Sequence, residues 1–468
     1  MVSHPTPNAP PALPGSPACL AAIQIVRTLR TAAHQAFFAG GCVRDLLLGA
    51  IPKDFDVATS ATPQEVLRLF PHTIEVGAHF GVVLVHQTIG EQRISTEVAT
   101  FRHDGAYSDG RRPDAVRFST DPREDVLRRD FTINGMLLDP VAPSSEALLD
   151  YVGGREDLAL RTVRAIGSPS LRFAEDKLRM LRAVRFAARL DFNLDPATLL
   201  AMQQHADQIH QVSLERIRDE LTRMLTEGHA SRAFELLHNS SLLEQILPEA
   251  ELLRGVEQPP QYHPEGDVWV HTLLLLEKLP AGCSPTLAWG ALLHDIGKPA
   301  TFQPPDPAKP GDRIRFNGHV EAGVRIAEEI LSRLRFSNDD RAQILALIAN
   351  HMRFGDILHM KVSTLKRFLR LPRFDEHLAL HHADVTSSNN NLSLYDFARH
   401  HYETSEPEQV RPPLLVTGRD LIAAGYRPGR TFKAMLEFAE DLQLEGQIRT
   451  HEEALAAVTN HFGPPTEP

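Results

Sequence analysis

The chain has 468 residues and is 42% apolar, which favours about three domains with cores of their own. Its formal net charge of −11 argues against a uniformly basic nucleic-acid binder, so a nucleic-acid contact would need a local basic face. Cys19, Cys42 and Cys283 are odd in number and lack the spacing of metal ligands, which argues against a disulfide scaffold and favours a reducing cytoplasm.

The first 24 residues are rich in proline and lack the basic start and apolar core of a signal peptide. No apolar run in the chain reaches the length of a membrane span. We therefore expect a disordered lead over residues 1–24, a cytoplasmic location and no membrane contact.

The stretch FAGGCVRDLLLGAIPKDFDVAT begins with a strand, a glycine turn and a helix. Ala36–Ala39 is predicted to be a short buried strand, Gly40 and Gly41 allow a sharp turn, and Cys42–Leu48 has helical apolar spacing. Backbone N–H groups at the start of this helix, with Arg44 one turn later, suit a triphosphate. We expect Asp45 to orient Arg44.

Two carboxylates follow in the β-rich run DFDVAT. Residues two apart in a strand share a face, so Asp54 and Asp56 are expected to project side by side. Paired carboxylates suit Mg²⁺, because this ion prefers oxygen ligands. Two Mg²⁺ ions held side by side can activate an attacking hydroxyl and stabilise the leaving oxygen.

Either motif alone is usually structural, but together they resemble the pattern GGxVRDxLLG followed by DxD. This pattern is typical of the class II tRNA nucleotidyltransferase and bacterial poly(A) polymerase family. The resemblance implies an α+β multidomain protein: a nucleotidyltransferase head with a mixed β-sheet flanked by helices, then an all-α neck, an HD domain and a tail.

The segment LRRDFTING resembles a second block of this family, which lines the same cleft. The resemblance implies that Arg129 contacts the nucleotide. Asp130 is a catalytic carboxylate in the poly(A) polymerase branch, and Glu97 on the preceding strand is the other candidate for a third carboxylate. For either residue the structural alternative is an ion pair with a neighbouring arginine such as Arg102 or Arg128.

The run RFAEDKLRMLRAVRFAARL, residues 172–190, is predicted to be one helix with an arginine face and an apolar face. A carboxylate beside a guanidinium complements the amine and ring nitrogen of cytosine and adenine but mismatches uracil and guanine, so Asp176 with Arg179 suits base selection. The block also resembles the nucleotide-selecting motif of the family, which implies that Arg179, Arg182 and Arg185 contact the nucleotide. The alternative is a solvated helix surface.

From about Tyr151 the pattern is helical, and the segments 199–211, 214–226 and 231–237 are predicted to be short amphipathic helices. A later domain carries histidines and carboxylates suited to divalent transition ions. Their order, H, HD, GH, H and D, resembles the HD superfamily of metal-dependent phosphohydrolases. The resemblance implies His271, His294, Asp295 and Asp384 as core ligands, His319 and His351 at a possible second metal position, and Lys298 near the phosphate. The metal remains open among Ni, Mn, Co, Fe and Zn, and the alternative is an inactive scaffold.

We divide the chain into a lead (1–24), a catalytic head (25–155), a helical neck for nucleotide selection and RNA binding (156–255), an HD domain (256–402) and a helical tail (403–468). The tail resembles the C-terminal segment of these nucleotidyltransferases, which implies a grip on tRNA. A packing or dimerisation role is its alternative, and the oligomeric state is left open.

The resemblance implies a tRNA nucleotidyltransferase that adds C and A (CCA) to tRNA 3′ ends from CTP and ATP with release of pyrophosphate, together with a metal-dependent phosphohydrolase. A poly(A) polymerase or an enzyme adding only A is one alternative. Another is an HD phosphohydrolase whose non-catalytic head binds RNA.

Overall fold

A computed structural model describes residues 13–77, 81–105, 116–143, 146–261, 263–406 and 411–465. The chain divides into two compact units, residues 1–248 and 249–468. This division falls a few residues before the boundary expected at 255/256 between neck and HD domain; the finer division remains a prediction.

The first unit is built on a seven-stranded mixed sheet in the order β3-β4-β5-β2-β1-β8-β9. Only β2 and β5 pair in parallel within this sheet among the described strands. The strands are Ala36–Ala39 (β1), Asp56–Thr59 (β2), Thr73–Gly77 (β3), Val82–Ile89 (β4), Gln92–Thr100 (β5), Arg102–Asp104 (β6), Val116–Phe118 (β7), Met136–Leu138 (β8), Leu148–Asp150 (β9), Thr162–Val163 (β10) and Asn193–Leu194 (β11). The expected mixed sheet is confirmed.

Helices surround the sheet and then form the neck. Those of the first unit are Pro17–Thr31 (α1), Gly41–Leu47 (α2), Pro63–Leu69 (α3), Pro122–Leu127 (α4), Gly154–Ala159 (α5), Pro169–Glu175 (α6), Leu178–Leu190 (α7), Pro196–His205 (α8), Leu214–Thr226 (α9), Ala230–Asn239 (α10) and Leu242–Ile246 (α11), and Pro248–Glu251 (α12) spans the unit boundary. Short 3₁₀ helices occupy Thr132–Asn134 and Ala206–Gln211.

Helix α1 corrects the expected disordered lead. The Ser16 side chain accepts a hydrogen bond from the Cys19 amide at 3.3 Å, and Pro17 occupies the first turn, so the sequence carries a helix start. Ile25 and Leu29 are fully buried along the inner face. Residues 17–24 are therefore helical, and residues 1–12 lie outside the described part of the chain.

The single helix predicted over residues 172–190 is wrong, because the chain breaks between α6 and α7. Asp176 adopts extended backbone angles, and its Oδ1 accepts a hydrogen bond from the Leu178 amide at 3.0 Å. An aspartate that bonds to the backbone two residues ahead competes with the helix and starts a new one. The break places Asp176 at a helix junction.

A second boundary also differs from the prediction. The helix expected to begin at residue 199 begins at Pro196, because the Asp195 carboxylate accepts from the Thr198 amide at 3.0 Å and proline follows the cap. It changes to a 3₁₀ helix at Ala206. The helix expected over residues 214–226 is confirmed as α9.

The second unit is helical in its described part. Its helices are Val268–Lys278 (α13), Pro285–Leu293 (α14), His319–Arg333 (α15), Asn338–Asn350 (α16), Val362–Leu369 (α17), Phe374–Ser387 (α18), Ser393–Thr404 (α19), Gly418–Ala423 (α20), Thr431–Leu444 (α21) and His451–Phe462 (α22), with 3₁₀ helices at Pro299–Thr301 and His351–His359. The C-terminal helices share an apolar cluster that includes Leu421, Met435 and Val458. None of the described helices has the length and apolar composition that a membrane span requires.

Candidate functional site

Three carboxylates converge at the central strands β2 and β5 of the sheet. Val57 on β2 pairs with Val98 on β5 in parallel register, so the preceding residues, Asp56 and Glu97, are neighbours on one face. Asp54 lies in the segment before β2 rather than in it, which corrects the expected two-residue strand spacing. Burial raises the pKa of Asp56 to about 7, with repulsion from Glu97 and Asp54 adding to the rise. A site where carboxylates repel each other in this way is suited to cations.

The glycine turn lies next to a guanidinium. Gly40 has a φ of +75°, and a Cβ at this position would lie 3.3 Å from Nη1 of Arg129. The other nitrogens of Arg129, Nε and Nη2, donate to Oδ2 of Asp125 at 3.2 and 2.9 Å. Asp125 is fully buried and also accepts from Arg128, so it fixes Arg129 against the turn. The charge of Arg129 offsets part of the rise in the pKa of Asp56, so Arg129 lies near the carboxylates.

Arg44 is buried beside the same turn. Its Nε donates to Oδ1 of Asp45 at 2.8 Å and its Nη1 to Oδ1 of Asn134 at 2.8 Å. The expectation that Asp45 orients Arg44 is therefore confirmed. The guanidinium lies over the Phe186 ring at 5.4 Å and near Gly41, whose Cβ would be 3.5 Å from Nη2.

Asp130 forms an ion pair, but its partner is Arg182 of α7 rather than a neighbouring arginine such as Arg102 or Arg128. Nε and Nη2 of Arg182 lie 2.8 and 2.6 Å from Asp130 Oδ2, and Oδ1 accepts from the Phe131 amide at 2.8 Å. Burial alone would raise the pKa of Asp130, but Arg182 holds that pKa below its ordinary value. This geometry favours Glu97 as the third carboxylate.

The two residues expected to read the base have other partners. Asp176 pairs with Arg216 of α9, at 2.9 Å between Oδ2 and Nη2, while Arg179 pairs with Glu175 at 2.6 Å. Arg179 also donates to the backbone oxygen of Arg128 at 3.2 Å, which ties α7 to the head. The break between α6 and α7 gives each of these side chains a partner of its own, and base selection by the two residues remains a prediction. Both residues remain together at the junction.

Arg185 occupies a structural position. It is 5% exposed, donates through Nε to Glu220 at 2.7 Å and lies over the Phe186 ring at 4.4 Å. Arg185 therefore points from α7 towards α9. Its burial and its ion pair with Glu220 argue against the expected nucleotide contact. Arg182 also lies over Phe186, at 5.3 Å, but its side chain is 34% exposed.

In the second unit, the predicted HD residues come together from five places in the chain. His271 lies on α13, His294 and Asp295 follow α14, His319 begins α15, His351 follows α16 and Asp384 lies on α18. They form two potential ligand groups: His271, His294 and Asp384, and Asp295, His319 and His351. His271 Nε2 lies 3.1 Å from Asp384 Oδ1 and 4.0 Å from Asp295 Oδ2, so the groups adjoin.

The hydrogen bonds of the histidines orient one nitrogen of each ring into the cluster. Nδ1 of His294, His319 and His351 donates to the backbone oxygen three residues earlier, at 2.8, 2.9 and 2.7 Å. Nδ1 of His271 instead faces Glu265 Oε1 at 2.7 Å. The Nε2 atoms of all four rings are buried without a hydrogen-bond partner. Neutral imidazoles bind metals through such a nitrogen, so the donor set fits a divalent transition ion.

The charges at this cluster agree with cation binding. Burial alone would raise the pKa of Asp295, but His294 and Lys298 hold it well below its ordinary range. Burial lowers the pKa of His351 to about 4, so this ring is neutral. Burial alone would also lower the pKa of His271, yet the adjacent carboxylates of Asp384 and Glu265 raise it to about 9, so without a metal this ring carries a proton that a metal must displace.

Lys298 is buried against this cluster. Its Nζ lies 2.7 Å from Asp295 Oδ2 and donates to Gln258 Oε1 at 2.6 Å. Gly297, the preceding residue, allows the backbone of α15 to approach: a Cβ there would lie 2.1 Å from the His319 backbone oxygen. Glycine is therefore required to bring His319 beside Asp295.

Several supporting residues escaped the sequence analysis. Asp125 lies four residues before Arg129 on a helical segment, an ion-pair spacing that could have revealed it. Arg216 and Gln258 meet their partners, 40 residues away, only through tertiary folding. Glu265 lies six residues before His271, but no motif marks that spacing.

Comparison with known protein families matches three regions of the chain. The Poly A polymerase head domain matches residues 36–164, the probable RNA and SrmB-binding site of polymerase A matches residues 191–253, and the HD domain matches residues 268–389. A CCA-adding enzyme of Levilactobacillus brevis is 31% identical over 93% of this chain and 96% of its own length. The chain belongs to the CCA-adding enzyme family.

Other members of this family agree with the fold. A CCA-adding enzyme of Bacillus pumilus is 37% identical over 59% of this chain, but the match spans less than two thirds of that relative, 63% of its length. The crystal structure of the Bacillus stearothermophilus CCA-adding enzyme in complex with CTP has a TM-score of 0.72 and 25% identity, and covers 96% of this chain and 98% of that one. The resemblance stated from the sequence is confirmed, as is the α+β fold with an HD domain.

Proposed function

We propose that this chain adds C and A to the 3′ end of tRNA from CTP and ATP and releases pyrophosphate. The observation that carries this proposal is the convergence of Asp54, Asp56 and Glu97 beside the Gly40 turn. Its support from comparison is that the matched relatives and the B. stearothermophilus structure are CCA-adding enzymes, the latter holding CTP.

Asp54, Asp56 and Glu97 would hold Mg²⁺, since carboxylate oxygens are the ligands this ion prefers. When bound, such ions supply activation of the tRNA 3′-hydroxyl and stabilisation of the leaving pyrophosphate oxygen. Arg129, fixed by Asp125 against Gly40, and Arg44, fixed by Asp45 and Asn134, would bind the triphosphate. Their positions are set before the nucleotide arrives, which favours catalysis by preorganised charge.

Asp176 and Arg179 would choose the base from their positions at the junction of α6 and α7. In the proposed complex, the amine of cytosine or adenine donates to Asp176, and Arg179 donates to the adjacent ring nitrogen. Arg216 and Glu175 hold the two side chains until a base takes over those hydrogen bonds. Arg182 is exposed enough to add a contact, whereas Arg185 is assigned to packing.

The HD domain is proposed to be a working phosphohydrolase that acts on phosphate or 2′,3′-cyclic phosphate ends of RNA. His271, His294, Asp295, His319, His351 and Asp384 would hold one or two divalent ions, of which Ni, Mn, Co, Fe and Zn all suit this donor set. When bound, such an ion supplies an activated water for attack on a phosphoester. Lys298 lies beside Asp295, where it can meet the phosphate.

We place the protein in the cytoplasm, where tRNA and nucleotides are present and where thiols stay reduced; Cys19, Cys42 and Cys283 are all free. The tail, with its own apolar cluster, is proposed to contact the body of tRNA.

Two variants of the full chain test the separation of activities. Asp54→Ala is expected to abolish addition of labelled nucleotide to tRNA while leaving phosphate release from a 3′-phosphorylated RNA intact. His294→Ala is expected to do the reverse. Loss of both activities in His294→Ala, with a normal melting temperature, would overturn the assignment of two independent sites.

A further inference from the structure

The four histidines of the HD cluster differ in what their second ring nitrogen contacts. Three of them donate to a backbone oxygen three residues earlier, an arrangement fixed by their own helical segments. His271 alone faces a carboxylate, Glu265, at 2.7 Å between Nδ1 and Oε1. Glu265 lies outside the set of residues that the HD pattern identifies.

Glu265 reaches this position through the cap of α13. Asp267 is the N-cap, and its carboxylate accepts from the Val270 amide at 2.8 Å, so the entry of the chain into the helix is fixed. Two residues earlier, Glu265 has a side chain only 8% exposed. The cap therefore holds the glutamate against His271 on the first turn of the helix.

The carboxylate is shared in an uneven way. Oε1 accepts from both His271 and His263, the second at 2.9 Å, whereas Oε2 is buried without a hydrogen-bond partner. A buried carboxylate oxygen without a partner costs free energy, so the position of Glu265 is not explained by its own solvation. We expect the compensating contribution to lie in the hydrogen bonds that Oε1 accepts from the two imidazole rings.

We infer that Glu265 is a positioning residue of the metal centre, one that fixes the tautomer of His271 and strengthens its Nε2 as a ligand. An acceptor at Nδ1 keeps the proton there and leaves the lone pair on Nε2, and a carboxylate acceptor makes the ring more basic than a backbone oxygen does. Nε2 of His271 lies 3.1 Å from Asp384 Oδ1, so the effect falls on the ligand group that contains Asp384.

His263 provides the matched control for this inference. It contacts the same Oε1 from the same segment, and its ring lies 5.0 Å from the His271 ring. Replacing His263 removes a contact of the segment but keeps the hydrogen bond between Glu265 and His271. Glu257, an exposed residue of the same region, controls for the loss of one charge.

The experiment is calorimetric titration of the metal-free full chain with Ni²⁺, an ion that favours imidazole ligands. Glu265→Ala should weaken Ni²⁺ binding by about 10- to 100-fold, the usual cost of losing such a partner, and Glu265→Gln should fall between it and the native chain. His263→Ala and Glu257→Gln should stay within about twofold of the native value. Melting temperatures of the metal-free proteins identify variants that fail to fold, and Glu265→Gln, which keeps the side-chain shape, decides in that event.

This inference rests on the proposed metal centre, and the outcomes separate the two. If the native chain binds Ni²⁺ tightly but Glu265→Ala and Glu265→Gln bind it equally well, the role of Glu265 is overturned and the metal centre stands. If His263→Ala weakens binding as much as Glu265→Ala, the effect belongs to packing of the segment. If the native chain does not bind Ni²⁺, the metal centre itself is overturned, and the inference with it.

Discussion

Arg182 binds Asp130 through two nitrogens, Nε and Nη2, at 2.8 and 2.6 Å from the same carboxylate oxygen. This pair joins the head to helix α7 and so favours Glu97, next to Asp56, as the third carboxylate of the proposed Mg²⁺ site.

Replacing Glu97 or Asp130 by its uncharged amide should therefore have different effects. Glu97→Gln removes a charge from the proposed Mg²⁺ site and should lower kcat for nucleotide addition by at least about 10²-fold, with the melting temperature unchanged. Asp130→Asn breaks a partly buried ion pair and should destabilise the protein by about 2 kcal/mol. Urea unfolding and single-turnover addition kinetics check both. A full loss of kcat in Asp130→Asn at native stability would reverse the assignment.

The raised pKa of Asp56 predicts how addition depends on pH. Its pKa of about 7 means that protons compete with Mg²⁺ for this carboxylate, so the apparent Mg²⁺ affinity should fall as the pH drops from 8 to 6. The sign follows from the direction of the shift, because a raised pKa keeps Asp56 protonated at pH values where an ordinary aspartate is charged.

Two controls accompany this pH profile. Saturating Mg²⁺ should move the fall in rate to lower pH, and Glu97→Gln, which removes a cause of the shift, should do the same for the residual activity. Addition rates at several Mg²⁺ concentrations test both effects. A pH profile that does not change with Mg²⁺ concentration would contradict the role of Asp56 as an Mg²⁺ ligand.

Base selection should depend on both members of the pair at the helix junction. Asp176→Ala and Arg179→Ala each leave a base edge without its partner, so discrimination of CTP and ATP against UTP and GTP should fall by roughly 10²-fold in kcat/KM. Arg216→Ala frees Asp176 from its ion pair and serves as the comparison, with an expected effect on stability and a smaller effect on selectivity. Unchanged discrimination in Asp176→Ala would place base reading elsewhere.

Gly297 is not one of the proposed metal ligands, so replacing it tests the HD cluster without changing a ligand. Gly297→Ala would place a Cβ 2.1 Å from the His319 backbone oxygen and so displace α15 from Asp295. We expect loss of Ni²⁺ binding and of phosphate release, with nucleotide addition by the first unit retained. Gly355→Ala, where no atom lies within 4 Å of the added Cβ and φ is not positive, controls for the change of residue type. Native metal binding in Gly297→Ala would contradict the described packing.

What the sequence predicts well in this chain is local. The turn at Gly40, the strand Ala36–Ala39 and the helix over residues 214–226 follow from glycine placement and apolar period, and the structure has them. The metal-ligand order from His271 to Asp384 is similarly informative, because His294, His319 and His351 lie at helix ends and His271 lies in the first turns of α13, and the fold brings them together.

The features that could not be predicted from the sequence are those in which a side chain has several possible partners. Asp176 and Arg179 look like a pair because they are three residues apart, yet the Asp176 side chain prefers the Leu178 amide and Arg216, and so ends the helix. Arg185 has the same spacing as its neighbours, but it is buried and paired with Glu220. Such choices are decided by tertiary neighbours that periodicity does not show.

The central claim is tested most directly by the order of nucleotide addition. The purified full chain is given tRNA lacking its CCA end, with labelled CTP alone, labelled ATP alone, or both. We predict incorporation of C from CTP alone, incorporation of A only when CTP is also present, and no incorporation in Asp54→Ala. Incorporation of A from ATP alone into this tRNA or into another RNA would contradict CCA addition and favour a poly(A) polymerase.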